Sequence, residues 1–246
     1  MLSKTQVKYI QSLFHKKFRE EYGQFIVEGP KMAEEAITLS FSDIINIYAC
    51  SDWIDRNISI DQNLKQKIVE VSVPEMEKIS SLHTPSNVLI VLKKPLLKAP
   101  QAWDGLTLLL DGIQDPGNLG TMIRTADWFG VKHVVCGAGT ADCYNPKVIQ
   151  STMGSIFRTS IFYEDLNSFL AQHSSVPLIV TSLDGEPLNR NEKWNTAFVV
   201  IGNESQGVQQ SITSSATRKI LIPRIGQAES LNAAVAAGII LYELTA

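Results

Sequence analysis

Residues 108–130 read LLLDGIQDPGNLGTMIRTADWFG. An apolar run ends at Asp111, a loop of Gly, Pro, Asn and Asp follows, and a helix carrying Arg124 runs to Gly130. Strand, polar loop and helix form the repeating unit of a parallel α/β sheet, in which such loops stand at the carboxyl ends of the strands and hold the ligands. Two familiar phosphate loops can be excluded. GIQDPGNL has Asn-Leu where a P-loop needs Lys-Ser/Thr, and Gly112, Gly117 and Gly120 do not keep the GxGxxG spacing. A third glycine cluster, CGAGTADC at 136–143, lacks the last glycine of that fingerprint. Asn118 is the expected N-cap of the helix, and Gly130 suits its C-terminal end. Arg124 shares a side with Thr121 and Asp127, so a plain surface pair with Asp127 competes with a functional role.

Two later stretches repeat this layout. FVVIGNESQGV at 198–208 is an apolar strand breaking into Gly-Asn-Glu and Gly207 before a helix. ILIPRIGQAESLNAAVAAGIILYEL at 220–244 is a strand ended by Pro223, a polar connection and a helix rich in small apolar residues, with Ser230 available as its N-cap. A helix so apolar implies burial on nearly all sides, in a core or against another subunit. No histidine follows His173, so a Ser-His-Asp arrangement is not suggested.

The same alternation extends over the chain and predicts a mostly parallel α/β sheet from about residue 104 onward. Strands are expected at 106–111, 132–136, 177–183, 196–201 and 219–223, and helices near 118–129, 145–157, 164–173, 207–215 and 230–244. Ahead of it, residues 1–97 read as a small α/β unit. Its first helix is capped by Ser3, carries Val7, Ile10, Phe14 and Phe18 at helical spacing and ends near Gly23. KKPLLKAPQA at 93–102, with two prolines and three lysines, centres the linker on residues 98–103.

The chain has 44% hydrophobic and 19% charged residues, enough to build an ordinary core, and no apolar run near the roughly 20 residues of a membrane span. Cys50, Cys136 and Cys143 form no CxxC pair, and the four histidines lack zinc-ligand spacing, so neither disulfides nor a structural metal is expected. That composition suits a reducing cytoplasm. The net charge of −3 is uneven: residues 1–100 hold 13 Lys+Arg against 12 Asp+Glu, and the rest 9 against 13. The first nineteen residues carry Lys4, Lys8, Lys16, Lys17 and Arg19 and no acid. This basic run fits a solvated helix face, a polyanion-facing edge or an organellar transit segment.

Taken together, the three loops resemble the SpoU (TrmH-type) RNA ribose methyltransferases of the SPOUT superfamily. The first family motif matches Asn118, Arg124 and Thr125; the second matches Gly202, Asn203, Glu204 and Gly207. The third matches Ile222, Pro223, Ser230, Leu231, Asn232 and the Leu241–Glu243 end. Each match is weak alone, but three in order over 104–246 are specific. Arg224 stands where the family often has methionine, and Ala233-Ala234 replaces a usual Val-Ser. The N-terminal VKYIQSLFHKKFREEYGQFIVEG resembles the RNA-binding domain often fused ahead of this family.

The resemblance implies a sheet whose C-terminal segment is tucked into a trefoil knot, a homodimer, and transfer of a methyl group from S-adenosylmethionine to a ribose 2′-hydroxyl. The substrate would be RNA rather than DNA, and ribosomal RNA ahead of transfer RNA. It implies a catalytic set of Arg124, Asn118, Glu204, Ser230 and Asn232. The cofactor would be held around Thr181, Ser182, Leu183, Gly202, Asn203, Gly207, Ile222, Leu231 and Asn232. Lys8, Lys16, Lys17 and Arg19 would supply the charge that RNA meets. Two alternatives stand beside this reading. One is a non-catalytic RNA-binding or ribosome-assembly factor on the same scaffold. The other is a phosphate-ester hydrolase using Asp111, Asp115 and Asp184 as metal ligands.

Overall fold

The computed structural model describes residues 1–57, 61–187, 194–203 and 205–245. The chain divides into two units, one of Met1–Leu96 and Tyr144–Phe157, the other of Leu97–Cys143 and Arg158–Ala246.

In the first unit, β1 (Gln24–Glu28), β2 (Ile44–Ala49), β3 (Ile68–Glu70) and β4 (Val88–Lys93) form a sheet in the order β1-β4-β2-β3. β4 runs antiparallel to β1 and β2, and β3 pairs parallel with β2. Alternate residues feed two cores: Phe25, Val27, Ile47 and Ile90 on one face, Ile26, Tyr48, Leu89 and Val91 on the other. That is why these strands read as unbroken apolar runs. The helices are α1 (Lys4–Ser12), α2 (Lys16–Tyr22), α3 (Pro30–Leu39), α4 (Ser51–Arg56), α5 (Gln62–Lys65) and α6 (Val73–Ile79). Ile10 with Met76 and Ile79 brings α1 and α6 to the second core; Met32, Ala36 and Trp53 bring α3 and α4 to the first.

The single helix expected from Ser3 to Gly23 is two. Ser3 opens α1 with a capping box, and Gly23, at φ 63°, ends α2. Between them the chain turns, and the Leu13 carbonyl accepts a bond of 2.9 Å from Arg19 Nη1. Arg19 is only 1% exposed. It therefore holds the turn between the helices instead of facing RNA, which corrects its assignment to the basic edge.

The second unit contains β5 (Gly105–Asp111), α7 (Pro116–Trp128), β6 (His133–Cys136), β7 (Ser160–Tyr163), α9 (Leu166–Gln172), β8 (Leu178–Pro187), β9 (Thr196–Gly202), α10 (Gln210–Ser214), β10 (Arg218–Leu221) and α11 (Ala233–Thr245), with α8 (Pro146–Thr152) lying in the segment assigned to the first unit. Its six strands are all parallel, in the order β10-β8-β9-β5-β6-β7. Leu109, Val135, Val180, Phe198 and Val200 share one core with Trp103 and Phe169. α11 packs beside α7, where Phe129 and Tyr242 bring their ring centroids to 6.3 Å. α11 buries Ala233, Ala237, Ile240, Leu241 and Leu244 but exposes Val235, Ile239 and Tyr242, so within one chain it is covered on one face only.

Two further segments, at 145–157 and 160–163, differ from the sequence-based expectation. SIFY at 160–163 forms the edge strand β7, for which four residues gave no usable pattern. The helix expected at 145–157 is α8 followed by a 3-10 turn at Ser155–Phe157, and it belongs to the first unit rather than the second. There Ile149 joins the core of Phe25 and Val27, Tyr144 packs on Phe25 with centroids 4.7 Å apart, and Gln150 Nε2 donates to the Glu28 carbonyl at 3.0 Å. The first unit thus borrows a helix from the middle of the second.

Candidate active site

All three motif loops emerge at the carboxyl edge of the parallel sheet. The loop after β5 turns at Gly112, where φ is 72°, and α7 begins at Pro116. Asp115, not Asn118, is the N-cap: its Oδ1 accepts the Asn118 N–H at 2.8 Å. Asn118 lies within the first turn, and its own Oδ1 accepts a bond of 2.9 Å from Asn232 Nδ2. Asn232 in turn caps α11, its Oδ1 accepting the N–H groups of Ala234 at 2.9 Å and Val235 at 3.2 Å. The cap expected at Ser230 is therefore Asn232, and Ser230 is exposed on the connection before it. One amide side chain joins the starts of two thirteen-residue helices, whose dipoles both favour negative charge at this end.

Arg124 lies exposed on α7. The surface pair with Asp127 does not form, because Asp127 Oδ2 is engaged by Arg158 Nε at 2.9 Å. Among the described residues no ion pair holds the Arg124 guanidinium, which leaves a permanent cation available at the site.

The second motif forms a tight closed loop. Asn203 and Gly207 exchange backbone bonds of 3.1 and 2.8 Å, and Asn203 Oδ1 accepts the Ser205 N–H at 2.8 Å. Asn203 Nδ2 donates to the Gly112 carbonyl at 2.7 Å, tying this loop to the first. A Cβ at Gly202 would stand 2.2 Å from the Gly207 carbonyl carbon, so only glycine fits. Glu204 lies outside the described residues.

β8 leaves its neighbours at the same edge. Lys219 pairs with Val180, but the next residue, Ile220, pairs with Glu186, so 181–185 have no ladder partner in β10. Pairing with β9 also stops at Val180. Thr181 and Ser182 are half-buried here, while Leu183 is 89% exposed. Ser182 donates to Asp184, whose carboxyl is held below its usual range first by that hydroxyl and then by Lys219 Nζ at 3.1 Å. Across the gap, Ile222 is half-buried and Leu231 exposed on the third loop.

Asp111, at the end of β5, and Gln209 were not singled out as site residues by the motifs. The Asp111 carboxylate is 4% exposed and accepts the Gln209 N–H at 2.8 Å and Gln209 Nε2 at 2.6 Å. With Asp115 capping α7 and Asp184 paired to Lys219, the three carboxylates weighed as metal ligands are separately engaged. Among the described residues no group of three His, Cys, Asp or Glu side chains could hold a metal. Burial pushes the Cys136 thiol well up, which disfavours a thiolate nucleophile.

In the first unit, Lys8, Lys16 and Lys17 are exposed. Lys16 pairs with Glu20 at 3.6 Å, and Lys17 Nζ lies 5.6 Å from the centroid of the Phe18 ring.

Comparison with known proteins shows the family. The profile of the SpoU rRNA methylase family matches residues 105–242, and that of the MRM3-like substrate binding domain matches residues 4–90. The 23S rRNA (guanosine(2553)-2′-O)-methyltransferase RlmP of Bacillus subtilis is 34% identical over 97% of this chain and 95% of its own length. A TrmH-family protein from Porphyromonas gingivalis superposes with a TM-score of 0.87 at 35% identity, covering 99% of this chain and 98% of that one. The AdoMet-bound rRNA methyltransferase of Sinorhizobium meliloti gives 0.87 at 28% identity, over 99% and 95%. With all three loops at one sheet edge and the family profile spanning them, the chain belongs to the SpoU rRNA methylase family.

Proposed function

We propose that this chain transfers the methyl group of S-adenosylmethionine to the 2′-hydroxyl of a ribose in structured ribosomal RNA. The observation that carries this reading is the Asn118–Asn232 bond, which fastens the Arg124 helix to the third loop. The non-catalytic alternative has less support, since RlmP, a relative that matches this chain almost end to end, is named as a 2′-O-methyltransferase.

The residues present fit the cofactor. Peptide groups of 181–185 free of the ladders can bond a nucleoside, and the rigid Gly202, Asn203 and Gly207 loop faces the same edge. Leu183, Ile222 and Leu231 offer apolar surface for an adenine to cover. When bound, the cofactor supplies an electrophilic methyl on a sulfonium. An arginine guanidinium is a hydrogen-bond donor and a fixed positive charge, so the role of Arg124 is to stabilise developing alkoxide charge and clamp the neighbouring phosphate, with phosphate or water taking the proton. Asn118 and Asn232 align the nucleotide, Ser230 completes the rim, and Glu204 orients the arginine or a ribose.

Lys8, Lys16 and Lys17 give the first unit its RNA-facing charge. A second copy of the chain covers Val235, Ile239 and Tyr242, which lie at i, i+4 and i+7 on α11, together with the exposed Trp128. Sedimentation should accordingly find a dimer. The three unbridged, buried cysteines suit a cytoplasmic enzyme.

The direct test uses tritiated S-adenosylmethionine on total RNA from a strain lacking the protein, with label mapped by nucleotide. Ribosomal RNA labelled on one ribose is expected; label on a base would overturn the reading. Arg124→Ala should lower transfer by about 10²–10³-fold, as removal of a transition-state charge stabiliser does, while calorimetry shows cofactor binding unchanged. Neutralising Lys8, Lys16 and Lys17 together should flatten the salt dependence of RNA binding by about two to three units of log–log slope. An unchanged slope would move the RNA surface elsewhere.

A further inference from the structure

We infer that Asp111 is a positioning residue for the cofactor: it touches neither substrate but fixes the loop on which the cofactor is held. The inference rests on the proposed methyl-transfer reading and adds a residue to it.

Asp111 is the last residue of β5, an inner strand of the parallel sheet, and its ladder partner in β9 is Gly202. The second loop therefore leaves the sheet directly beside Asp111. It returns to the same point at Gln209, whose main-chain and side-chain N–H groups both donate to the carboxylate, one to each oxygen. The following residue, Gly112, receives the Asn203 side chain through its carbonyl. Both ends of the loop are thus fastened to two consecutive residues, 98 and 91 positions earlier in the chain.

A carboxylate buried to this degree is costly unless its oxygens are bonded, and here both are. The charge is what an isostere removes: with asparagine the Gln209 amide can turn its oxygen to the new NH2, so two bonds remain but neither is charge-assisted. The same two residues begin the Gly112 turn into α7. Asp111 consequently holds the cofactor loop in register with the helix that carries Arg124.

This role makes a specific pattern of effects. Asp111→Asn should weaken S-adenosylmethionine binding by about tenfold to a hundredfold, as loss of a charge-assisted pair does. KM for the cofactor should rise in step, with kcat changed far less, because the loop binds ground state and transition state alike. Asp111→Asn combined with Gln209→Glu reverses the polarity of the pair: the asparagine oxygen accepts the main-chain N–H, and its NH2 donates to the glutamate. That double variant should recover most of the lost affinity. Gln209→Ala keeps the main-chain bond, gives a milder loss of about threefold, and supplies a folded protein for the same titration if Asp111→Asn unfolds.

The measurement is calorimetric titration with S-adenosylmethionine and with S-adenosylhomocysteine, alongside thermal unfolding and RNA affinity. Wild-type binding with Asp111→Asn and Gln209→Ala binding equally well would overturn the role of Asp111. So would a reversed pair that stays as weak as the single variant, which would mark a purely structural contact. Failure of the wild-type protein to bind either ligand would instead overturn the methyltransferase reading, and the inference with it.

Discussion

The second and third motif loops leave the same edge of the sheet but are built in opposite ways. In the second loop Asn203 is tied to Gly112 and Gln209 to Asp111, two backbone bonds join Asn203 and Gly207, and the Asn203 side chain accepts the Ser205 N–H. Residues 223–231 are exposed throughout, and among the described residues their only side-chain bond is Arg224 Nη1 to the Ala228 carbonyl at 3.4 Å. One loop is braced by bonds to β5 and to itself, whereas the other meets such bonds again only at Asn232, where it enters α11. Preorganisation lowers what binding must spend in conformational entropy, and the site divides that demand unequally.

A pair of glycine substitutions turns this contrast into measurements. The larger effect belongs to Gly202→Ala. Its added methyl would meet backbone on every side: the Gly207 carbonyl carbon at 2.2 Å, the Val208 nitrogen at 2.4 Å and the Gly207 oxygen at 2.5 Å. These atoms cannot swing aside as a flexible side chain would, because the loop is tied to β5 on both sides. Overpacking of this kind costs about 1–3 kcal/mol, and in a chain of this size each kcal/mol lowers the thermal midpoint by about 2–4 °C. Cofactor affinity should fall by more than about tenfold as the loop shifts. Normal affinity in calorimetry would mean that the loop is softer than its hydrogen bonds imply.

The contrast also explains what could be read from the sequence. The three loops were legible because each joins an apolar strand to a helix through residues with one local purpose: glycine for a positive φ, proline to end a strand, asparagine to turn the chain. The parallel sheet was legible for the same reason, as strands covered on both faces remain apolar at every position. The caps were only half legible. DPGN and ESLN each contain two residues able to cap, and the structure selects Asp115 and Asn232; Pro116 at the first helical position was the signal for the former. Long-range contacts left no local trace. Arg19 reads like its neighbouring lysines until the turn after α1 brings the Leu13 carbonyl to it. Asp111 and Gln209 are 98 residues apart, and helical periodicity in α8 cannot say which sheet its apolar face will cover.

The smaller effect belongs to Gly226→Ala in the third loop, where an added Cβ would meet nothing within 4 Å and φ lies outside the left-handed region. With no clash and no strain, the folded protein should not notice the methyl. The unfolded chain should, since alanine has fewer backbone states to lose, and the expected result is a gain of up to about 0.4–1 kcal/mol, a rise of a few degrees at most. Cofactor affinity should stay level or tighten slightly, because a loop with fewer conformations is ordered more readily. A loss of affinity at unchanged thermal stability would be the informative failure. It would mean that the bound loop brings residue 226 against the ligand or into a conformation that only glycine adopts, so that the third loop is as demanding as the second once the site closes.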